Sequence, residues 1–132
     1  MNKAEAEGLS AVKDLQENFV GTISEVIELP DFTDNYEELG IDKKFIEIAK
    51  QEIIKNPNVG DVIQGGNGAR KMRIAIDDNS GKSGGARIAY INYYVKEIAY
   101  LINIIKKSDQ ANFTKKQIKQ IAKTVDFIKD DA

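Results

Sequence analysis

The pattern of apolar and polar positions divides the chain into short elements with clear stops. Over residues 3–19, Leu9, Val12, Leu15 and Phe19 recur at helical spacing on a thin stripe with charged flanks. Ile23 to Leu29 reads as a strand that Pro30 closes, and Phe32 to Leu39 holds a helical turn ended by Gly40. Asp42 is the N-cap of a helix running to about Lys55, with Phe45, Ile46, Ala49 and Ile53 on its inner face and Asn56-Pro57 as its stop.

Beyond the glycine-rich stretch Gly65-Gly66-Asn67-Gly68 the period changes to two. Arg70 to Ile76 and Arg87 to Tyr94 read as strands, separated by a Gly/Ser turn from Asn79 to Gly85. After Val95-Lys96, the nearly unbroken apolar run Ile98 to Ile105 predicts a central strand buried on both faces. Thr114 and Gln117 form a capping box that opens a last helix carrying Ile118, Ile121, Ala122, Val125 and Ile128. The order β-α-α-β-β-β-α predicts an α+β fold whose last three strands form an antiparallel meander. We divide the chain into an N-terminal extension, 1–22, and a folded domain, 23–132.

Composition removes whole classes of chemistry. The 132 residues include no cysteine, no histidine and no tryptophan, so a thiolate nucleophile, a zinc–thiolate site and a Ser-His-Asp triad are all excluded. Any acid–base group must be Lys, Arg, Tyr, Asp or Glu. Missing cysteine fits a cytoplasmic protein, the acidic N-terminus carries no secretory signal, and no apolar run is long enough to span a membrane.

The net charge of −2 conceals a division along the chain. Residues 1–63 carry 6 basic and 14 acidic side chains, whereas residues 64–107 carry 8 basic and 3 acidic. A basic middle in an acidic protein points to a local polyanion site, against the alternative of a solvated charged face. The glycine-rich stretches do not make a nucleotide loop. A P-loop ending at Gly81-Lys82-Ser83 would need glycine where Ile76 stands, and Gly66-Asn67-Gly68 leads into a strand with Lys71 at the last fingerprint position. Asp77-Asp78 and Asp130-Asp131 are adjacent pairs that point to different sides, so we expect no metal site.

Strand alternation sorts the basic residues. Lys71 and Arg73 share a face opposite Met72, Ile74 and Ile76; Arg87 and Ala89 share a face opposite Ile88, Tyr90 and Asn92. With in-register pairing, Lys71, Arg73, Arg87 and Lys107 converge on one side of the sheet, and Lys82 sits on the loop between two of the strands. Such a cluster repels itself unless an anion fills it or acidic helices pair with it.

At these residues the chain resembles the RelE/HigB-like toxins of type II toxin–antitoxin systems, in their HigB-type branch. The resemblance is carried by Asn56-Pro57-x-x-Gly60-Asp61-Val62-Ile63, Gly65-Gly66-x-Gly68-x-Arg70-Lys71-x-Arg73-x-Ala75, Gly81-Lys82-Ser83-Gly84-Gly85-Ala86-Arg87 and Tyr90, then Tyr100-Leu101-Ile102, Lys107 and Phe113-Thr114. Ile27-Glu28-Leu29-Pro30-x-Phe32-Thr33 is similar to the family's first strand, so the likeness covers roughly residues 24–128.

The resemblance implies a small, mostly antiparallel sheet with helices packed on one side. It also implies a ribosome-dependent, metal-independent mRNA endonuclease with no cofactor, in which the RNA 2′-hydroxyl attacks the adjacent phosphate. Carried over by position, Lys71, Arg73, Arg87 and Lys107 are the catalytic candidates. Lys71 is the candidate for proton transfer, and Arg87 matches the clamp on the scissile phosphate. Arg70, Lys82 and Tyr90 are the RNA-binding candidates. The implied partners are a helix-turn-helix antitoxin and a ribosome with mRNA in its A site. Operator DNA is reached only through the antitoxin, and no membrane is involved. Two departures stand out: Ile105 occupies a position where the family often carries an aromatic ring, and residues 1–22 precede the family's usual start. A non-cleaving toxin relative that only binds antitoxin or nucleic acid is the principal alternative, and an unrelated α/β interaction module the next.

Overall fold

The computed structural model describes residues 21–130. The helix expected over residues 3–19 therefore lies outside the described residues. The elements are β1 (Glu25–Glu28), α1 (Pro30–Glu38), α2 (Lys43–Lys55), β2 (Asp61–Val62), β3 (Arg70–Ile74), a 3-10 turn (Lys82–Gly84), β4 (Ala86–Tyr93), β5 (Ile98–Lys106) and α3 (Lys115–Asp130). They build an α+β fold around one five-stranded mixed sheet in the order β1-β5-β4-β3-β2.

Local chemistry explains the helix starts. Pro30 fixes the first residue of α1, where a missing N–H costs nothing. That makes α1 a helix of 9 residues rather than the single turn expected after Phe32. Asp42 caps α2 by accepting from the Lys44 amide at 2.9 Å. The capping box at α3 closes both ways: the Thr114 amide donates to Gln117 Oε1 at 2.8 Å, and the Gln117 amide donates to Thr114 Oγ1 at 3.1 Å.

The expected antiparallel meander is present: β3 pairs with β4 and β4 with β5. Two features escaped the pattern. The two-residue strand β2 adds to the β3 edge. At the opposite edge β1 runs parallel to β5, with Glu25 opposite Ile98 and Glu28 opposite Leu101.

The helices do not lie on one side of the sheet, and that expectation is corrected here. Phe32, Tyr36, Phe45, Ile46 and Ile53 of α1 and α2 pack with Met72, Ile74, Ile88, Tyr90, Leu101 and Ile104 on one face. Ile121 and Val125 of α3 pack with Ile63, Ala89, Ile91, Ile102 and Ile105 on the other. The reason is in β4 and β5, which are apolar on both faces; a sheet covered on one side would leave Ile91, Ile102 and Ile105 in water. A bulge in β5 helps this division. Ala89 pairs with Asn103 and Tyr90 with Leu101, so Ile102 is the extra residue and turns towards α3.

Candidate functional site

The register delivers the convergence read from strand alternation. Arg73 stands directly opposite Arg87, Lys71 opposite Ala89, and Arg87 in turn opposite Ile105. The Lys107 amide donates to the Gly85 carbonyl at 2.9 Å, so Lys107 extends the β5 lane beside Arg87. Lys71, Arg73 and Arg87 share the α3 face, because Ala89, Ile91 and Ile105 of the same parity pack under Ile121 and Val125. The cations occupy the end of that face nearest the β3–β4 turn. Arg73 and Lys107 are exposed, Lys71 is half-buried, and Arg87 is only 7% exposed.

Among the described residues the Arg87 guanidinium is held by main-chain oxygens alone. Nη1 donates to the carbonyls of Ala86 at 3.1 Å and Lys82 at 3.3 Å, and Nη2 to that of Ser83 at 3.1 Å. Burial, and then the charge of Arg73, push its pKa below the ordinary arginine value. Among the described residues the ion pairs are Lys44–Asp78, Lys50–Glu28, Lys50–Glu47 and Lys82–Glu52. Each joins a lysine to a carboxylate on, or folded against, the α1–α2 side. None includes Lys71, Arg73, Arg87 or Lys107. Two arginines facing each other across strands repel, and a carboxylate would relieve them. Among the described residues no carboxylate pairs with either arginine, and the acceptors of Arg87 are main-chain carbonyls.

Gly85 makes the turn possible. A Cβ there would collide with the Ile74 carbonyl oxygen, so only glycine lets the loop enter β4 this close to β3. The Gly84-Gly85 pair was legible in the sequence as a turn; its role in setting up Arg87 was not.

Three sequence-derived candidates stand elsewhere. Tyr90 is 0% exposed on the α1–α2 face. Its hydroxyl donates to the Pro57 carbonyl at 2.8 Å and accepts from the Gly60 amide at 2.9 Å. Burial pushes its pKa up to about 12. Arg70 is buried beside it and donates through Nη1 to the Gly60 carbonyl at 2.6 Å. Both residues fasten the 57–60 turn, and the expectation that Tyr90 binds RNA is corrected: its side chain has no exposed surface. Arg70 stands apart from the cation cluster and lines the open groove at the far end of β4. Gly60 itself has no room for a side chain, since a Cβ would sit 2.6 Å from the Lys71 carbonyl oxygen. Lys82 turns away from the cations, its ammonium 3.0 Å from Glu52 of α2.

No aromatic ring stands beside Arg87 on its neighbouring strands. Ile105 is buried beneath α3. Tyr93 and Tyr94 line an open groove of about 930 Å³ with Val62, Val95 and Lys129, but at the far end of β4. Six residues of strand put Tyr93 about 20 Å from Arg87.

Phosphate binding is the chemistry this face can perform. Arginine offers a planar fork to phosphate oxygens, and lysines add mobile point charges. Among the described residues no helix is long and apolar enough to cross a membrane, and no group of three or more acidic side chains is placed to hold a metal ion. No model of a known protein family matches this chain.

Proposed function

We propose that this chain is the toxin of a type II toxin–antitoxin pair, of the RelE/HigB kind, and cleaves translated mRNA on the ribosome in the cytoplasm. The observation that carries the reading is the Arg73–Arg87 cross-strand pair, flanked by Lys71 and Lys107 and, among the described residues, without a carboxylate partner. The ordered motifs from Asn56 to Thr114 support it.

In this reading the RNA 2′-hydroxyl attacks the adjacent phosphorus and the P–O5′ bond breaks. A cyclic phosphate and a 5′-hydroxyl remain. Arg87 grips the scissile phosphate, and Arg73 stabilises the charge that grows on the phosphorane oxygens. The 2′-hydroxyl proton passes by way of Lys71 to the leaving 5′-oxygen, and Lys107 binds the neighbouring backbone phosphate. A helix-turn-helix antitoxin is the partner that holds the protein silent, and operator DNA is met only through it.

A second reading is a toxin relative that binds without cutting. The burial of Ile105 favours it, because the β5 position opposite Arg87 carries no ring to stack a splayed base. The test is RNA cleavage in a purified translation system with mapped mRNA 5′ ends. Cuts inside translated codons that require ribosomes and disappear in Arg87→Ala support the enzyme. Intact mRNA at saturating folded protein overturns it in favour of the binder.

A further inference from the structure

The surroundings of Arg87 assign a role to two residues outside the cationic face. The guanidinium takes its position from the carbonyls of Lys82 and Ser83, which belong to the 3-10 turn Lys82–Gly84. That turn is exposed and lies in a long Gly/Ser loop, so little apolar burial fixes it. Among the described residues its side-chain tether to the body of the protein is the Lys82 ammonium, which reaches Glu52 on α2 at 3.0 Å. A second pair, Lys44–Asp78 at 3.1 Å, ties the start of the same loop to the same helix. A line of contacts thus runs from Glu52 Oε1 to Lys82 Nζ, and from the Lys82 and Ser83 carbonyls to the Arg87 guanidinium.

We infer that Glu52 and Lys82 are positioning residues: their ion pair holds the 82–84 turn in the form whose carbonyls aim Arg87. This inference rests on the endonuclease reading above. It also replaces the direct RNA contact expected of Lys82. Lys82 acts through its partner on the opposite side of the sheet, and the sign of its charge matters only relative to Glu52.

The charge swap separates the two roles. Cleavage in the translation system is measured for wild type, Glu52→Lys, Lys82→Glu and the double variant. Glu52→Gln and Lys82→Gln serve as neutral controls, and thermal melting is followed for each. The tether predicts that every single variant melts within about 4 °C of wild type and keeps its KM but loses kcat. The loss is roughly two- to fivefold for the glutamine variants, the range exposed ion pairs span. It is larger for the reversals, where like charges push the turn away. The double variant restores kcat, because the pair is rebuilt with opposite polarity.

Single variants with wild-type kcat overturn the inference. A double variant that stays as poor as Lys82→Glu, with raised KM, also overturns it and returns Lys82 to RNA contact. No cleavage by wild type itself overturns the underlying endonuclease reading, and the tether with it.

Discussion

Removing one oxygen atom at Tyr90 tests whether this residue holds the fold or reads RNA. In Tyr90→Phe the ring remains, so packing of the fully buried side chain is kept. Two hydrogen bonds go. The Pro57 carbonyl still accepts from the Asn92 amide at 2.8 Å, so it keeps a partner. The Gly60 amide, which donated to the phenol at 2.9 Å, is left buried without that acceptor. One orphaned donor plus one lost bond costs about 2–3 kcal/mol, which for a domain of this size lowers the melting temperature by roughly 8–12 °C.

Urea unfolding at pH 7 measures it directly. The alkaline limb adds a second reading. The folded Tyr90 phenol titrates near 12, above its ordinary 10, because burial favours the neutral form. Its contribution is complete below pH 10 and is lost as pH climbs from 10 towards 12, where the unfolded chain ionises first. Wild type therefore loses stability across that window more steeply than Tyr90→Phe. A variant within about 0.5 kcal/mol of wild type at pH 7, with the same alkaline slope, would refute the reasoning. A normal melt with lost ribosome binding would instead return Tyr90 to the RNA surface.

Three further substitutions probe other links. Arg73→Ala relieves the repulsion across β3 and β4, so its unfolding midpoint should equal or exceed that of wild type; mRNA cleavage should fall about 10²–10³-fold in the same preparation. Gly85→Ala forces a Cβ against the Ile74 carbonyl oxygen and should cost about 4 kcal/mol or more, read as insoluble expression or a collapsed melt. Glu28→Gln tests the inner ion pair. Burial alone would raise the Glu28 pKa, but bonds from the Lys50 ammonium and the Thr33 hydroxyl outweigh it and hold it below the ordinary value of 4.5. That stabilisation is present above pH 4.5 and lost as pH falls through the lower folded value. The variant should lose about 2 kcal/mol at pH 7 and show a flatter acid limb by circular dichroism.

The sequence made the cation cluster legible because alternation and register are both short-range facts. Lys71, Arg73 and Arg87 are separated only by a turn, and glycines mark where it falls. The same alternation already set Arg70 on the parity of Met72 and Ile74, and Tyr90 on that of Ile88. Their RNA-binding role came from resemblance alone; for Tyr90, which is fully buried, the parity of the strands prevailed. What escaped was non-local. Nothing near Ile23 to Leu29 announces a parallel partner 73 residues on. The second helical layer was implied by apolar residues on both faces of β5, yet the expectation of one-sided helices ran against that pattern. The Glu52 tether had no signal, since a surface acid on a helix looks alike whether or not a distant lysine reaches it.

That distant pairing sets an order of assembly. The meander β3-β4-β5 can close from its own turns, with Arg73 and Arg87 only 14 positions apart. β1 has to wait, because its partner strand begins at Ile98 and the loop between them is long and entropically slow to close. During synthesis the first strand and the α1–α2 pair therefore emerge well before the surface that completes them. The cation-bearing hairpin comes together while the acidic half of the molecule is still searching for its place.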